Sequence, residues 1–169
     1  MVTLQSVVKS FGETTVLDGI NFEAKKGEFI SLVGPSGCGK STLLKIIAGL
    51  YPVTDGTVAV DGMTPKNARE EMSFIFQEAN LLPWKRVLGN AELPLKLRGV
   101  EKRRRIETAE KMLDLVSLSH AHERFPWQLS GGMRMRVSTS RPLHLKHKVL
   151  VLDERFKVRE EMTRDNLNE

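Results

Sequence analysis

The sequence contains little cysteine, few aromatic residues and no long hydrophobic run. Its one cysteine, Cys38, excludes a disulfide within the chain, which fits a reducing compartment. The first residues, MVTLQ, lack the basic stretch and long apolar core of a signal peptide. The longest apolar stretches, such as residues 43–51, are far shorter than the ~20 residues that a membrane-spanning helix needs. We therefore expect a soluble chain that reaches a membrane only through a partner.

The bulk composition allows a globular domain but selects no partner. A chain of 169 residues fits one domain or a little more, and 40% hydrophobic residues suffice for a core. The formal charge of +5 suits nucleotide phosphates, nucleic acid or an anionic membrane surface. The basic run at residues 102–105 is typical of a solvated helix face.

The first third of the chain has the pattern of strands separated by turns. Residues 29–33 form a short apolar run, which indicates a buried strand directly before a glycine-rich loop. The last predicted strand ends in two acidic residues, Asp153 and Glu154. With at least one parallel crossover, this order indicates an α/β fold. The predicted strands cover residues 3–10, 16–24, 29–33, 57–60, 72–76 and 148–152.

Helical spacing is found after the loop and in the middle of the chain. Residues 43–50 repeat leucine and isoleucine at helical intervals, and residues 87–118 are helical and heavily charged. Ser130 is a candidate cap for a further helix that begins at Gly131. An apolar stripe predicts core packing for Ile106, Ala109, Met112, Leu113 and Val116.

The loop at residues 34–41 reads GPSGCGKS and matches the pattern GxxxxGK[ST] in full. Glycines let successive backbone N–H groups point at phosphate oxygens, and the N-terminus of the following helix favours anions. Lys40 supplies a positive charge for the outer phosphates, and the Ser41 hydroxyl can bind Mg²⁺. The predicted strand–loop–helix context supports an ATP-binding site. The expected phosphate-binding residues are Gly34, Pro35, Ser36, Gly37, Cys38, Gly39, Lys40, Ser41 and Thr42.

A second motif, VLVLDE at residues 149–154, is an apolar strand that ends in two carboxylates. An ATPase with a phosphate-binding loop needs an acidic residue on Mg²⁺ and a carboxylate that orients or deprotonates the attacking water. Asp153 suits the first role and Glu154 the second. The motif is weak alone but specific when it follows the loop by about 110 residues.

A third motif, LSGGM at residues 129–133, resembles the signature sequence of ATP-binding cassette (ABC) ATPases. FIFQ at 74–77 is similar to the glutamine loop of that family, and KSFG at 9–12 to its adenine-stacking segment. The resemblance runs over about residues 2–156 in the order and spacing of the family. The stretches EANLLPW at 78–84 and LRGV at 97–100 resemble importers of nitrate, sulfonates and taurine.

The resemblance implies a P-loop NTPase (RecA-like) core with an antiparallel β subdomain and a helical insertion, incomplete at its C-terminal end. It implies one partial ABC-type domain over residues 1–169. Its parts are an antiparallel region (1–28 and 54–65), a loop unit (29–53), a helical insertion with the signature helix (87–145), a Walker B strand (148–154) and a divergent tail (155–169).

The resemblance also implies residue roles. Phe11 would stack on adenine, and Ser41 and Asp153 would hold Mg²⁺. Gln77 would be a further Mg²⁺ ligand that senses the γ-phosphate and links to the permease, and Glu154 would be the general base. The residues that would contact the ATP of a second, head-to-tail copy are Ser130, Gly131 and Gly132. The implied cofactors are ATP and Mg²⁺, and the implied location is the cytoplasmic face of the membrane, on permease subunits.

The sequence departs from the family near its C-terminal end. Arg155 stands where the family usually has proline, Met135 stands where glutamine is usual, and Pro142 falls within the expected signature helix. All four histidines precede Asp153, so none matches the switch histidine of the family, which lies on a later strand. That strand would lie between the loop strand and the Asp-Glu strand, so we expect a gap or altered pairing in the central sheet.

Three hypotheses remain at this point. The first is the energising ATPase subunit of an importer. The second is an ABC-type ATPase that acts on nucleic acid, which the importer-like stretch at residues 78–84 disfavours. The third is a remnant that binds ATP, or only a partner, without catalysis.

The missing histidine predicts that the chain binds nucleotide but hydrolyses it slowly or not at all. We expect turnover below the order of 1 s⁻¹. Nucleotide binding and phosphate release, measured in parallel with Lys40→Ala as the control, test this. Turnover of order 1 s⁻¹ or faster in the unmodified chain, absent in Lys40→Ala, contradicts it.

Overall fold

The strand-forming first part of the chain folds into a three-stranded antiparallel sheet. The computed structural model describes residues 1–143 and 147–153. Its first sheet contains β1 (Val2–Phe11), β2 (Thr14–Ala24) and β3 (Asp55–Val60) in the order β2-β1-β3. A tight turn at Gly12, with φ of 60°, joins β1 to β2. The antiparallel subdomain expected from the sequence is thereby confirmed.

A second sheet pairs two strands that are far apart in the sequence. β4 (Met72–Ile75) and β5 (Val149–Leu152) are parallel, with Met72 opposite Val149 and Ile75 opposite Leu152. The backbone N–H of Asp153 donates to the carbonyl of Ile75 at 2.9 Å, which extends the ladder by one residue. Because the strands are parallel, the residues that follow both strands lie at the same edge of the sheet.

Residues 29–33, which the sequence predicted as a buried strand, do not form one. Phe29 is 86% exposed and Val33 is 92% exposed, and only Leu32 of this segment packs against the core. The physical reason is that a strand needs ladder hydrogen bonds to a neighbour, and no strand among the described residues pairs with this segment. The apolar side chains of residues 29–33 suit a strand, but no described strand forms ladder hydrogen bonds with the backbone of this segment.

One hydrophobic core joins the two sheets to the helix that follows the loop. Helix α1 (Lys40–Ile47) buries Leu43, Ile46 and Ile47, as its spacing predicted, whereas Leu50 lies beyond the helix and is largely exposed. The core cluster consists of Val2, Leu4, Val7, Leu17, Leu43, Ile46, Ile47, Val60, Ala68, Met72 and Val151.

The middle of the chain forms a helical region with its own core. It contains α2 (Val87–Ala91), α3 (Leu93–Leu97), α4 (Lys102–Leu115) and α5 (Gly131–Leu143). Short 3-10 helices lie at Asn67–Glu71, Ser119–Ala121 and Pro126–Gln128. Ala109 and Leu113 of the predicted stripe are fully buried. The second core cluster consists of Val87, Ala91, Ala109, Leu113, Leu118, Ala121, Leu129 and Val137.

The basic run at the start of α4 is solvated at residues 102–104, as its charge pattern indicated, whereas the Arg105 side chain is only 16% exposed. Glu101 caps the helix by accepting hydrogen bonds from the backbone N–H groups of Arg103 and Arg104. These bonds lower the pKa of the Glu101 carboxyl, because they stabilise its charged form. Arg105 pairs with Glu92 of the neighbouring turn at 2.6 Å. In the part of the chain that the structure describes, no helix has the length and apolar character to cross a bilayer.

The buried Asn90 of α2 organises the segment that precedes it. Its side-chain oxygen accepts a hydrogen bond from the backbone N–H of Leu82 at 2.8 Å. Its amide group donates to the carbonyls of Leu82, Lys85 and Arg86 at 3.0–3.2 Å. Asn90 is completely buried, so these groups have no access to water as an alternative partner.

Arg141 of α5 connects this segment to the last helix. Its Nε donates to the Asn90 carbonyl at 3.1 Å, and one Nη donates to the Asn90 side-chain oxygen at 2.6 Å. Its other Nη donates to the carbonyl of Asn80 at 3.1 Å. Pro142 follows inside α5 and is accommodated in the last turn of that helix.

We predict that Asn90→Ala lowers the free energy of unfolding by about 2–4 kcal/mol. The substitution leaves the N–H of Leu82 and the carbonyls of Leu82, Lys85 and Arg86 without their buried partner, and it removes one acceptor from Arg141. Chemical denaturation followed by circular dichroism measures the change.

Asn21→Ala is the matched control. The exposed Asn21 amide also accepts from a backbone N–H, that of Ser6, and donates to a carbonyl, that of Gly19. Water can replace these partners, so we expect a loss below about 1 kcal/mol. Equal losses of unfolding free energy in the two variants would contradict the expectation that burial makes the Asn90 hydrogen bonds more costly to lose.

Candidate nucleotide-binding site

The glycine-rich loop connects residues 29–33 to α1 through a backbone that only glycine adopts easily. Gly37 and Gly39 have φ of 84° and 94°. A Cβ atom on Gly39 would lie 2.7 Å from the Leu17 side chain and 3.1 Å from the Val16 carbonyl oxygen. The loop therefore packs directly on β2, and α1 begins at Lys40 with its free N–H groups at the loop.

The Lys40 ammonium lies within the curve of the loop. Its Nζ donates to the carbonyls of Gly34 and Pro35, both at 2.6 Å, and lies 3.4 Å from the Sγ of Cys38. The positive charge is thus held among backbone groups of the loop itself. An ammonium in this position, next to a helix N-terminus, favours the binding of a polyphosphate.

Ser41 and Asp153 are brought together from positions 112 residues apart. The Ser41 hydroxyl donates to Oδ1 of Asp153 at 2.7 Å. Ser41 is in the first turn of α1, and Asp153 is the residue directly after β5. Two of the three residues that the sequence analysis assigned to Mg²⁺ therefore lie side by side next to the loop.

Gln77 lies at the same sheet edge as Asp153, because it follows β4 as Asp153 follows β5. Its side chain is exposed. Glu154, the predicted general base, lies outside the described residues.

Phe11, the predicted adenine-stacking residue, is at the end of β1 and is 47% exposed. Its ring packs edge-on against Tyr51 with a centroid distance of 5.7 Å, and Lys9 Nζ lies 4.8 Å from its centroid. Tyr51 follows α1, so it joins the strand end to the loop helix. The sequence analysis did not select Tyr51, since nothing in its spacing connects it to a residue 40 positions earlier.

The signature segment begins α5. The Ser130 hydroxyl accepts a hydrogen bond from the backbone N–H of Met133 at 3.2 Å, which confirms the predicted cap. Ser130, Gly131 and Gly132 are exposed, and Leu129 and Met133 on either side pack in the helical core. The loop helix α1 packs in the other core, so the structure assigns the loop and the signature segment to different packing clusters.

The loop, the α1 helix that follows it and the carboxylate at its mouth define a nucleotide-binding protein of the P-loop class. The sequence profile of the ABC transporter family matches residues 17–157. The chain therefore belongs to the ABC transporter family.

Relatives of known sequence support this membership. The taurine import ATP-binding protein TauB of Escherichia coli O157:H7 is 40% identical over 167 residues, which is 99% of this chain and 66% of TauB. The ABC transporter ATP-binding protein MJ0412 of Methanocaldococcus jannaschii is 42% identical over 151 residues, which is 89% of this chain and 57% of MJ0412. The chain thus spans less than two thirds of the length of either relative.

Solved structures show the same architecture. The ATP-binding cassette MJ0796, solved as a dimer in a post-hydrolysis state with ADP and Pi, superposes with a TM-score of 0.83. It is 34% identical, and the match covers 90% of this chain and 73% of MJ0796. The α/β P-loop NTPase fold that the sequence indicated is thereby confirmed.

We predict that Lys40→Ala weakens nucleotide binding at least about tenfold, because hydrogen bonds to charged groups contribute roughly 1.5–3 kcal/mol each. Titration with a fluorescent ATP analogue measures the dissociation constant. Lys111→Ala, on an exposed position of α4, removes the same charge far along the chain and serves as the control. Equal affinities in the two variants would show that the loop does not bind the phosphates.

Proposed function

We propose that this chain is the ATP-binding subunit of an importer, which couples ATP binding and hydrolysis to solute transport through a membrane permease. The observation that supports it best is the hydrogen bond between Ser41 and Asp153 at the mouth of the phosphate-binding loop. A structural role alone would not require a hydroxyl and a carboxylate at that position. Nucleotide hydrolysis by this class does require them, since both are ligands for the metal of the nucleotide.

The donor set fits Mg²⁺. This ion is usually held by one or two protein oxygens together with substrate phosphates and water. Ser41 Oγ and Asp153 Oδ1 are two such oxygens, and no group of three or more metal-ligating side chains occurs among the described residues. When bound, Mg²⁺ neutralises charge on the β- and γ-phosphates. Ser41 and Asp153 would hold it, and Gln77 lies at the same sheet edge.

The other predicted residues take their roles around the same nucleotide. Lys40 and the N–H groups of the loop bind the phosphates, and the exposed ring of Phe11 stacks on adenine. Glu154 is proposed as the base that deprotonates the attacking water. The exposed segment 130–132 contacts the ATP of a second copy in a head-to-tail dimer, for which the dimeric structure of MJ0796 is a precedent.

The proposed solutes are taurine-like sulfonates or nitrate. TauB is named for taurine import, and the segment at residues 78–84 has the importer-like sequence. The solute pocket would lie on other subunits, so this chain would act on the cytoplasmic face of the membrane through the permease. No direct contact with nucleic acid is proposed.

A second candidate function is nucleotide binding without efficient hydrolysis. The observation that favours it is the unpaired segment 29–33, whose residues Phe29 and Val33 are exposed directly before the loop. A loop whose leading segment lacks ladder hydrogen bonds is held less firmly, and phosphoryl transfer depends on positioning.

We predict that Asp153→Asn removes the gain in ATP affinity that Mg²⁺ provides, a loss of about tenfold or roughly 1.4 kcal/mol. Affinity without Mg²⁺ should change little or increase, because the substitution removes a negative charge near the phosphates. Calorimetric titration with and without Mg²⁺ measures both values. Ser41→Ala should act in the same direction.

Asp114→Asn, at an exposed position of α4, is the control for the loss of one carboxylate. An undiminished Mg²⁺ effect in Asp153→Asn would contradict the proposed metal site. Phosphate release measured on the same samples separates the two candidates, since tight binding of Mg-ATP with negligible release favours the second.

A further inference from the structure

A cleft of about 380 Å³ lies between β4, α3 and α5, on residues that none of the roles above uses. Its volume falls in the range of small-molecule sites. Arg98, Arg141 and His147 line it together with apolar side chains that include Phe74 and Phe76. The cleft therefore combines an apolar wall with a concentration of basic groups.

The two guanidinium groups have no carboxylate partner among the described residues. Arg141 donates only to neutral acceptors, which are the Asn80 carbonyl and the carbonyl and side-chain oxygens of Asn90. Arg98 donates to the backbone carbonyl of Glu70 at 2.9 Å. A guanidinium has five N–H donors, so both side chains keep donors for a ligand. The described lining of the cleft contains no aspartate or glutamate.

His147 is the clearest sign of an incomplete site. Both of its ring nitrogens are shielded from solvent, and neither has a hydrogen-bond partner among the described residues. Such buried groups are costly and normally bind water, an ion or a ligand. Burial lowers the pKa of His147, and the positive charge of Arg98 lowers it further.

The charged groups that share the described lining of the cleft with His147 are of one sign. Arg98 directly follows α3, and Arg141 belongs to α5. Of the two acidic residues on the adjoining 3-10 helix, Glu70 is exposed and Glu71 pairs with Lys148 at 2.8 Å. Burial also lowers the pKa of Arg141, because it removes water from around the charged guanidinium. An anion in the cleft would offset the repulsion between the positive charges of Arg98 and Arg141.

We propose that the cleft binds a small organic oxyanion, a sulfonate or a carboxylate. Its anionic head lies against Arg98 and Arg141, next to His147, and its apolar part lies against Phe74 and Phe76. Planar guanidinium groups recognise oxyanions through two parallel hydrogen bonds. The nitrogens of His147 are shielded from solvent, so the two guanidinium groups make the direct contacts with the head group, and His147 responds to its charge at short range. The proposal does not rest on nucleotide binding.

Titration of the full chain with ethanesulfonate, followed through the Cε1–H signal of His147, tests this proposal. The signal is identified by its loss in His147→Gln. We expect a saturable shift and a rise in the pKa of His147, because the bound anion stabilises the imidazolium. Arg98→Gln should weaken binding about tenfold. Acetate should bind at the same place, and methylammonium should not.

Three controls make the outcome decisive. Arg103→Gln removes an equivalent charge from the exposed start of α4, so it should leave the affinity unchanged. Lys40→Ala should also leave it unchanged, which excludes binding at the phosphate loop. Ethanesulfonate should bind more tightly than inorganic sulfate at equal ionic strength, because only the former uses the apolar wall.

Four results would overturn the proposal: no response of His147 to any probe, equal affinity in Arg98→Gln, loss of the response in Lys40→Ala alone, or a response to an acidic peptide without one to either anion. The last would assign the cleft to a protein partner.

Discussion

The hydrogen bond from Ser41 to Asp153 is the contact around which the proposed site is built. It joins the first turn of α1 to the residue after β5, at 2.7 Å. For this contact to form, β5 must pair with β4, and α1 and β5 must share the common core, to which they contribute Ile46 and Val151. The loop, the carboxylate and Gln77 share one edge of the structure only because both conditions are met.

The helical region depends on a second polar contact, between Asn90 and Arg141. This pair connects the chain that follows Gln77 to the helix that carries the signature segment. A displacement of Arg141 would disturb Asn90, because Asn90 is completely buried and has no water as an alternative partner. In the same arrangement Arg141 is paired only with neutral oxygen acceptors. Its positive charge therefore contributes to the basic character of the adjacent cleft.

Most secondary structure followed from local patterns. The strand at Met72–Ile75 and the stripe through Ala109 and Leu113 were predictable because side-chain period alone reports which face is buried. The Ser130 cap was predictable because hydroxyls at helix starts satisfy free N–H groups. Residues 29–33 were wrongly predicted as a strand because pairing depends on a neighbour, which no local pattern contains.

By itself, the sequence determined the chemistry of the loop, since the glycines at 37 and 39 and the lysine at 40 act through local backbone geometry and charge. It also determined the family, because the loop, the signature and the acidic strand end occur in a specific order. Only the tertiary structure decided that Ser41 contacts Asp153, that Tyr51 packs on Phe11 and that the basic cleft exists. These contacts join residues that are far apart in the chain. Tertiary packing determines how close such residues come, whereas the periodicity of side chains reports only which face of a helix or strand is buried.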